Sequence, residues 1–240
     1  MTRMNHGWTR PLIAGLALAL LAGCGMPRTL PSVRESGDRN FRYQRFDAAL
    51  TDYQEYLTRE PGDPAVHLSL AKTLIEVGRP AEAVEHAQLA WDQRINSEDC
   101  IETLARALFD ANRQPEMFTL LRGLADSRGR TVDFIRLGRY SALAGDADAA
   151  EHAFKQAAII DRGQTLEPQM ALADFYRSIG DRQNELRRLR TALYLAPTEP
   201  AINSRIRALG EVPGPSLGIR PPEQSTQEAT FPDTPPPTDR

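Results

Sequence analysis

The sequence predicts an all-α fold built from stacked pairs of helices, an α-solenoid. The first observation behind this prediction is an internal repeat, because polar turn positions recur at intervals of 34, 34, 33 and 35 residues. These turn positions, each between two apolar helical patterns, are Gln44, Gly78, Asn112, Gly145 and Gly180. A unit of this length cannot bury a core alone, so the repeats are expected to be stable only when they stack.

The second observation is a large residue followed by a small one in the first helix of four repeats. These pairs, which begin eight residues before their turns, are Leu70-Ala71, Leu104-Ala105, Leu137-Gly138 and Leu172-Ala173. A small residue lets two helices approach, and a larger residue fills the groove between them. The spacing therefore predicts a closely packed helix pair in each repeat.

The third observation is an apolar stripe on each second helix. The first position of the stripe lies five residues after the turn. That position holds Ala49, Ala83 or Ala150 in three repeats, but Met117 in the third repeat and Glu185 in the fifth. Later apolar residues at helical spacing place the stripe on one face. The departures at Met117 and Glu185 predict looser or differently angled contacts in those two repeats.

With these features the chain resembles the tetratricopeptide repeat (TPR) family. The best-matching stretch is LGRYSALAGDADAAEHAFKQAAIID at residues 137–161, and LADFYRSIGDRQNELRRLRTALYLAP follows at 172–197. The resemblance covers residues 40–197 and implies a right-handed superhelix of about 4.5 TPR-like helix pairs. Glycine or Asn112 at the turn tolerates the left-handed conformation that a tight turn requires.

The two ends of the solenoid are less regular. Residues 31–43 are polar and contain Gly37, which predicts a short or frayed first helix, so we expect a tether over 24–39 and a solenoid over 40–209. A capping helix is predicted at its end, where the apolar residues Ile202, Ile206 and Leu209 pack inward while Arg205 and Arg207 face away. Residues 211–240 contain eight prolines, which predicts a disordered tail over 210–240.

The amino terminus has the pattern of an export signal over residues 1–23. Arg3 and Arg10 precede an apolar segment at 11–22, which is shorter than the roughly 20 residues a membrane-spanning helix needs. Its end, Leu21-Ala22-Gly23-Cys24, resembles the lipobox of bacterial lipoproteins, in which a diacylglycerol and further acyl chains such as palmitate are attached to the cysteine. The alternative is an ordinary secretory signal in which Cys24 is incidental. In lipoproteins of enteric-type bacteria Asp after the cysteine signals inner-membrane retention, so Gly25 favours the outer membrane.

Composition and motifs exclude several classes of function. The chain has 29 basic and 32 acidic residues and a net charge of −3, without the basic footprint of a nucleic-acid-binding protein. No nucleophile with its base, no phosphate-binding loop and no paired-cysteine zinc spacing occurs, so we expect neither an enzyme nor a bound cofactor or metal. Cys100 is interpreted as a small buried residue, the alternative being a reactive thiol.

The resemblance implies that partners bind a concave groove lined by the first helices. Lys72, Arg106 and Arg139 occupy equivalent positions six residues before their turns, and Phe109 adds an apolar contact. Such a stripe would bind carboxylates or an extended acidic peptide. The alternative interpretation is a solvated face in which these bases pair with nearby acids, namely Glu76, Glu102 and Asp110.

Together these features predict a lipid-anchored scaffold for protein–protein interactions, on the outer membrane and facing the periplasm. Its partners would be envelope proteins or peptides bound through the groove, with the membrane bound through acylated Cys24. The alternative is an accessory or carbohydrate-handling module of a cell-wall enzyme system, which a cleft with convergent carboxylates would identify.

Overall fold

The computed structural model describes residues 28–93 and 97–224, and within these ranges the secondary structure is entirely helical, without strands. The eleven helices in these ranges are α1 (Leu30–Arg42), α2 (Phe46–Arg59), α3 (Pro64–Glu76), α4 (Pro80–Gln93), α5 (Glu98–Asp110), α6 (Gln114–Arg128), α7 (Thr131–Leu143), α8 (Ala147–Asp161), α9 (Leu166–Ser178), α10 (Arg182–Leu195) and α11 (Pro200–Ala208). The predicted all-α class is confirmed.

The chain divides into two compact units, Met1–Gly62 and Asp63–Arg240. The described part of the first unit is a single hairpin of α1 and α2. The second unit contains four hairpins, α3–α4, α5–α6, α7–α8 and α9–α10, followed by α11. We call the earlier member of each hairpin the first helix and the later member the second helix.

The five repeated turns share one backbone geometry. All five turn residues have positive φ, from 58° at Gln44 and Asn112 to 82° at Gly145. Around Gly78, for example, its N–H donates to the Ile75 carbonyl at 3.1 Å and the next N–H, of Arg79, donates to Leu74 at 2.8 Å. This hydrogen-bond pair ends a helix with a left-handed residue. The predicted role of these positions is confirmed.

The large and small pairs form the interior of the hairpins. Ala71, Ala105 and Ala173 are fully buried, and Leu70, Leu104 and Leu172 are at most 2 % exposed. The fourth pair differs in part, because Leu137 is only half-buried. Gly138 has the expected role: a Cβ there would lie 2.8 Å from the Phe154 ring of α8.

The expectation of a short or frayed first helix is wrong. Helix α1 spans Leu30–Arg42, as many residues as α3, and the predicted boundary at residue 40 falls inside it. Gly37 does not interrupt this helix. It is buried, and a Cβ at Gly37 would lie 2.7 Å from the Tyr53 ring. Gly37 is therefore the small residue of the first repeat, seven residues before Gln44.

The two departures on the second helices have different outcomes. Met117 is fully buried, and α5 and α6 pack less extensively than the other hairpins of the described chain, which confirms the looser contact predicted there. A looser contact is not found at Glu185, because α9 and α10 pack closely. Arg205 of α11 donates to Glu185 at 2.8 Å, so it points inward rather than away as predicted. The ion pair compensates for burial of the carboxylate.

The cap and the segment after it are both ordered against the last repeat. Ile202 and Ile206 are fully buried, as predicted. Residues 211–224, which we call the C-terminal strap, also pack on the solenoid, so the predicted disorder is wrong for this part. Glu223 accepts a hydrogen bond from Arg188 at 2.8 Å, and Pro221 is buried. Residues 225–240 lie outside the described residues.

Candidate partner-binding surface

The predicted lipidation site lies outside the part of the chain that the structure describes. Cys24 and the apolar segment before it therefore stay a prediction. Among the described helices, none combines the length and the hydropathy that a membrane span needs.

The three predicted groove cations are brought together on consecutive first helices. Lys72 of α3 donates to Asp99 of α5 at 2.6 Å. Arg106 of α5 donates to Glu76 of α3 at 2.9 Å. Each pair therefore joins neighbouring repeats through their first helices, and opposite charges alternate along this surface.

Arg139 extends the same pattern to α7. Its guanidinium donates to Glu102 of α5 at 2.6 Å and is half exposed. Arg106 also lies 3.5 Å from Asp110. The alternative interpretation named Glu76, Glu102 and Asp110 as partners, and the structure confirms these pairs. We call the surface formed by Lys72, Arg106 and Arg139 with their acids the first-helix ridge.

An aromatic pair lies beside the ridge. The ring of Phe109 is 5.8 Å from that of Tyr140 between centroids, and the Arg139 guanidinium lies 5.4 Å from the Tyr140 ring. The Tyr140 hydroxyl donates to Glu102 at 3.1 Å. Burial and the Glu102 charge raise the pKa of Tyr140 above its usual value, so the phenol stays protonated as a donor. Phe109, predicted to add an apolar contact, is half-buried in this pair.

A buried ion cluster behind the ridge was missed by sequence reasoning. Arg136 is 5 % exposed and donates to Glu98 at 2.7 Å, to Asp133 at 3.0 Å and to Glu102 at 3.1 Å. Arg130 donates to Asp133 and to Glu98 as well. Burial opposes ionisation of Glu98, but hydrogen bonds from Arg136 and Arg130 outweigh it and lower the pKa of Glu98. The cluster fixes α7 against α5.

The histidines and Cys100 form small buried contacts inside the second unit. The Nδ1 atoms of His67 and His86 are 3.0 Å apart and the rings stack across α3 and α4. Burial and the nearby His67 lower the pKa of His86 below its usual value. Cys100 is fully buried beside Leu68, as predicted. Across the described ranges, no cluster of three or more His, Cys, Asp or Glu side chains could hold a metal ion.

A cleft of about 620 Å³ opens on the opposite side of the repeats, between the second helices α4 and α6 above α5. We call it the α4–α6 cleft. Its apolar lining residues are Val84, Trp91, Leu104, Leu108, Pro115 and Leu120. At its rim Arg113 and Glu116 pair with each other at 2.6 Å. The cleft lies in the repeat where Met117 replaces alanine and the hairpin is loosest.

The repeated hairpins, their left-handed turns and their small packing residues define a TPR-like α-solenoid. Residues 41–96 match the tetratricopeptide repeat family. This match and the solved structures of the same architecture support the predicted TPR assignment. A comparison with curated protein sequences finds no significant match.

Three solved structures illustrate the shared fold. A TPR protein from Thermus thermophilus is 24 % identical with a TM-score of 0.51, and the match covers 75 % of this chain and 98 % of that one. MamA is 20 % identical with a TM-score of 0.52, over 78 % of this chain and 98 % of that one. PilW, a type IV pilus biogenesis factor, is 14 % identical with a TM-score of 0.55, over 75 % of this chain and 84 % of that one. At these identities the comparison defines the fold alone.

Proposed function

We propose that this chain is a lipid-anchored protein–protein interaction scaffold that faces the periplasm and supports assembly of an envelope complex. The observation that carries the scaffold function is the first-helix ridge, where partly exposed cations on three consecutive first helices are held in place by acids of the neighbouring repeat. TPR-like solenoids present such extended repeat surfaces to their partners. The proposal assigns the chain no chemistry of its own.

The ridge favours an extended acidic segment as its partner. A guanidinium has five N–H donors, so Arg106 and Arg139 can bind a second carboxylate while keeping their intrachain acids. The Phe109 and Tyr140 rings add an apolar contact beside Arg139. Because the ridge cations are partly exposed, salt would weaken such a complex by screening.

The location in the envelope is supported by the leader sequence. Arg3 and Arg10 precede a short apolar segment that ends in Leu21-Ala22-Gly23-Cys24. Two or three acyl chains on Cys24 would anchor the protein stably, whereas one chain gives only marginal binding. PilW, which shares the fold, is a type IV pilus biogenesis factor, and we propose a comparable role in envelope assembly for this chain.

Replacing the three ridge cations by glutamine (Lys72→Gln, Arg106→Gln, Arg139→Gln) should strongly weaken capture of the partner while leaving the fold intact. We expect at least about tenfold weaker binding, since each 1.4 kcal/mol is tenfold. Exposed ion pairs stabilise a fold by only about 0–1 kcal/mol, so the melting curve should change little. The measurement compares crosslinked partners recovered from native membranes.

Two matched variants make this test specific. Arg79→Gln with Arg113→Gln removes exposed ion pairs at the starts of second helices, away from the ridge, and should keep wild-type capture. Glu76→Gln with Asp99→Asn removes the inter-repeat acids of Arg106 and Lys72, leaving Arg106 only Asp110 of its own helix, and should strengthen capture of an acidic partner. Equal recovery of the same partners by all variants would show that the ridge is only a solvated face.

The substitution Cys24→Ser should move the protein from the membrane pellet to the soluble fraction or block its processing, because the thiol is the site of acylation. Mass spectrometry should find acyl groups on the wild type alone. Cys100→Ala is the matched control, since that thiol is buried in the second unit, and it should still pellet. A Cys24→Ser protein that pellets like the wild type, together with no acyl group on either, contradicts the anchor.

A further inference from the structure

The α4–α6 cleft is an apolar surface on the second-helix side, away from the first-helix ridge. Leu104 and Leu108 form its floor, and Trp91 and Leu120, both half-buried, form part of its walls. An opening of about 620 Å³ is in the size range of a binding pocket. An aromatic wall beside aliphatic residues suits an extended proline-rich segment, which needs little ordering to bind.

The C-terminal strap already packs against the second helix α10. The Ile219 N–H donates to the Arg190 carbonyl of α10 at 3.1 Å, and Arg190 Nε donates to the Leu217 carbonyl at 2.9 Å. A Cβ at Gly163 would lie 2.5 Å from Cβ of Pro221, so glycine is required where the strap crosses the end of α8. A proline-containing segment of this chain therefore packs on α10 and on the end of α8.

The course of the strap leads toward the cleft. It passes from α10, where Gly218 lies against Tyr194, to the end of α8, where the Gln224 side chain donates to the Gly163 carbonyl at 2.7 Å. The next earlier second helices are α6 and α4. Trp91 lies two residues before the carboxyl end of α4, and Gly163 lies two residues after the carboxyl end of α8. Both residues are therefore near the carboxyl ends of second helices.

The remaining segment has the length and the composition to fill the cleft. Residues 225–240 include Phe231 and four prolines, Pro232 and 235–237. Counted from Gln224, Phe231 is seven residues away and Pro235 is eleven, which at 3.1 Å per residue in an extended proline-rich conformation are about 22 Å and about 34 Å. Helices α7, α6 and α5 separate α8 from the cleft by at most about 30 Å, since packed helices lie 8–10 Å apart.

We propose that the α4–α6 cleft binds residues 225–240 of the same chain, with the proline run against Trp91 and Phe231 on the α6 side of the cleft. This is a second binding surface, beyond the proposed partner function of the ridge. It makes the C-terminal segment an intramolecular ligand that covers the apolar floor and walls of the cleft.

Trp91 reports directly on this contact. In a Trp8→Phe background it is the sole tryptophan of the full chain. Replacing Phe231 and Pro235, Pro236 and Pro237 by serine should shift its emission to longer wavelength and increase its quenching by acrylamide. A matched variant that changes Glu228, Thr230, Asp233 and Thr234 to serine in the same segment should behave like the parent.

The dependence on protein concentration distinguishes binding of residues 225–240 from the same chain from binding of the same residues from a second copy. A tethered segment acts at an effective concentration in the millimolar range, so a free peptide of residues 225–240 should compete only near millimolar levels, and Trp91 emission should not depend on protein concentration. Shielding of Trp91 that grows with protein concentration and parallels dimer formation would assign the cleft to a second copy and overturn the proposal. Identical emission and quenching in the serine variant and its parent would overturn it as well.

Discussion

Replacing Arg136 by methionine should lower the free energy of unfolding by about 3 kcal/mol, because breaking a buried ion pair leaves an uncompensated charge in the interior. Arg136 is 5 % exposed and Asp133 1 % exposed, with 3.0 Å between donor and acceptor. The value falls at the lower end of the usual 3–5 kcal/mol because Arg130 still donates to Asp133 at 2.8 Å. Denaturant unfolding at neutral pH measures this loss.

Arg139→Met is the matched control, because Arg139 binds the same Glu102 from a half-exposed position. Its cost should be within about 1 kcal/mol. Asp133→Asn should cost less in the Arg136→Met background than in the wild type, since the carboxylate has then already lost one of its cations. Equal effects of Arg136→Met and Arg139→Met would contradict the assignment of Arg136 as a buried joint between α5 and α7.

The loss should also depend on pH. The folded-state pKa of Glu98 is lowered, chiefly because hydrogen bonds from Arg136 and Arg130 outweigh its burial. A lowered carboxyl pKa adds stability that is present above the unfolded value of about 4.3 and disappears as pH falls through the folded value. The difference between wild type and Arg136→Met should therefore be largest near neutral pH and shrink below about pH 4.

The repeat architecture was predictable because its signals are local. A left-handed turn limits the residue types that are tolerated at one position of the repeat, and a close helix contact limits them at another. The tolerated residues therefore recur at a fixed interval. Asn112 and Gln44 have the same turn geometry without being glycine. Their positions were recognised from the repeat interval, because their residue types alone do not indicate a left-handed turn. Gly37 was misinterpreted as a sign of fraying because the residues around it are polar, although it lies seven residues before Gln44, as the small residues of the other repeats lie before their turns.

The packing of the strap and the inward contact of Arg205 in the cap could not be predicted from composition. Proline-rich residues 211–224 bury little apolar surface of their own, yet they pack on a surface that is already folded. The contacts that hold them join residues far apart in sequence, such as Gln169 and Glu223, 54 positions apart. Arg205 looked exposed by helical spacing alone, because its partner Glu185 lies on another helix.

The candidate surface was predicted in its residues and, under the alternative interpretation, in the acids that pair with Arg106 and Arg139, but the partner of Lys72 was not predicted. Lys72, Arg106 and Arg139 are brought together as their register indicated, whereas the Lys72–Asp99 pair crosses from one repeat to the next and has no sequence signature. Arg136 did leave a signal. Nine residues before the turn, the other three repeats of the second unit carry small residues, namely Ser69, Thr103 and Ala171, so a large cation at this position marks a departure.

Substituting leucine for Gly138 should destabilise the second unit by about 3 kcal/mol or more, because the helices α7 and α8 leave no room for a side chain there. A Cβ at Gly138 would lie 2.8 Å from Cδ1 and Cε1 of Phe154, and 2.9 Å from its Cγ. These atoms are close to the backbone of α8, so the ring cannot move away without shifting the helix. Overpacking of an interior costs about 1–3 kcal/mol and sometimes more.

Gly123→Leu provides the matched control within α6. A Cβ at Gly123 would meet no atom within 4 Å, so leucine should instead stabilise that helix by about 0.5–1 kcal/mol through its higher helix propensity. Shortening Phe154 to alanine should recover part of the loss in the Gly138→Leu protein, although the same change destabilises the wild type. Denaturant midpoints at constant m-value measure all four variants. If Gly138→Leu and Gly123→Leu shift the midpoint alike, helix propensity rather than close packing determines the glycine at position 138.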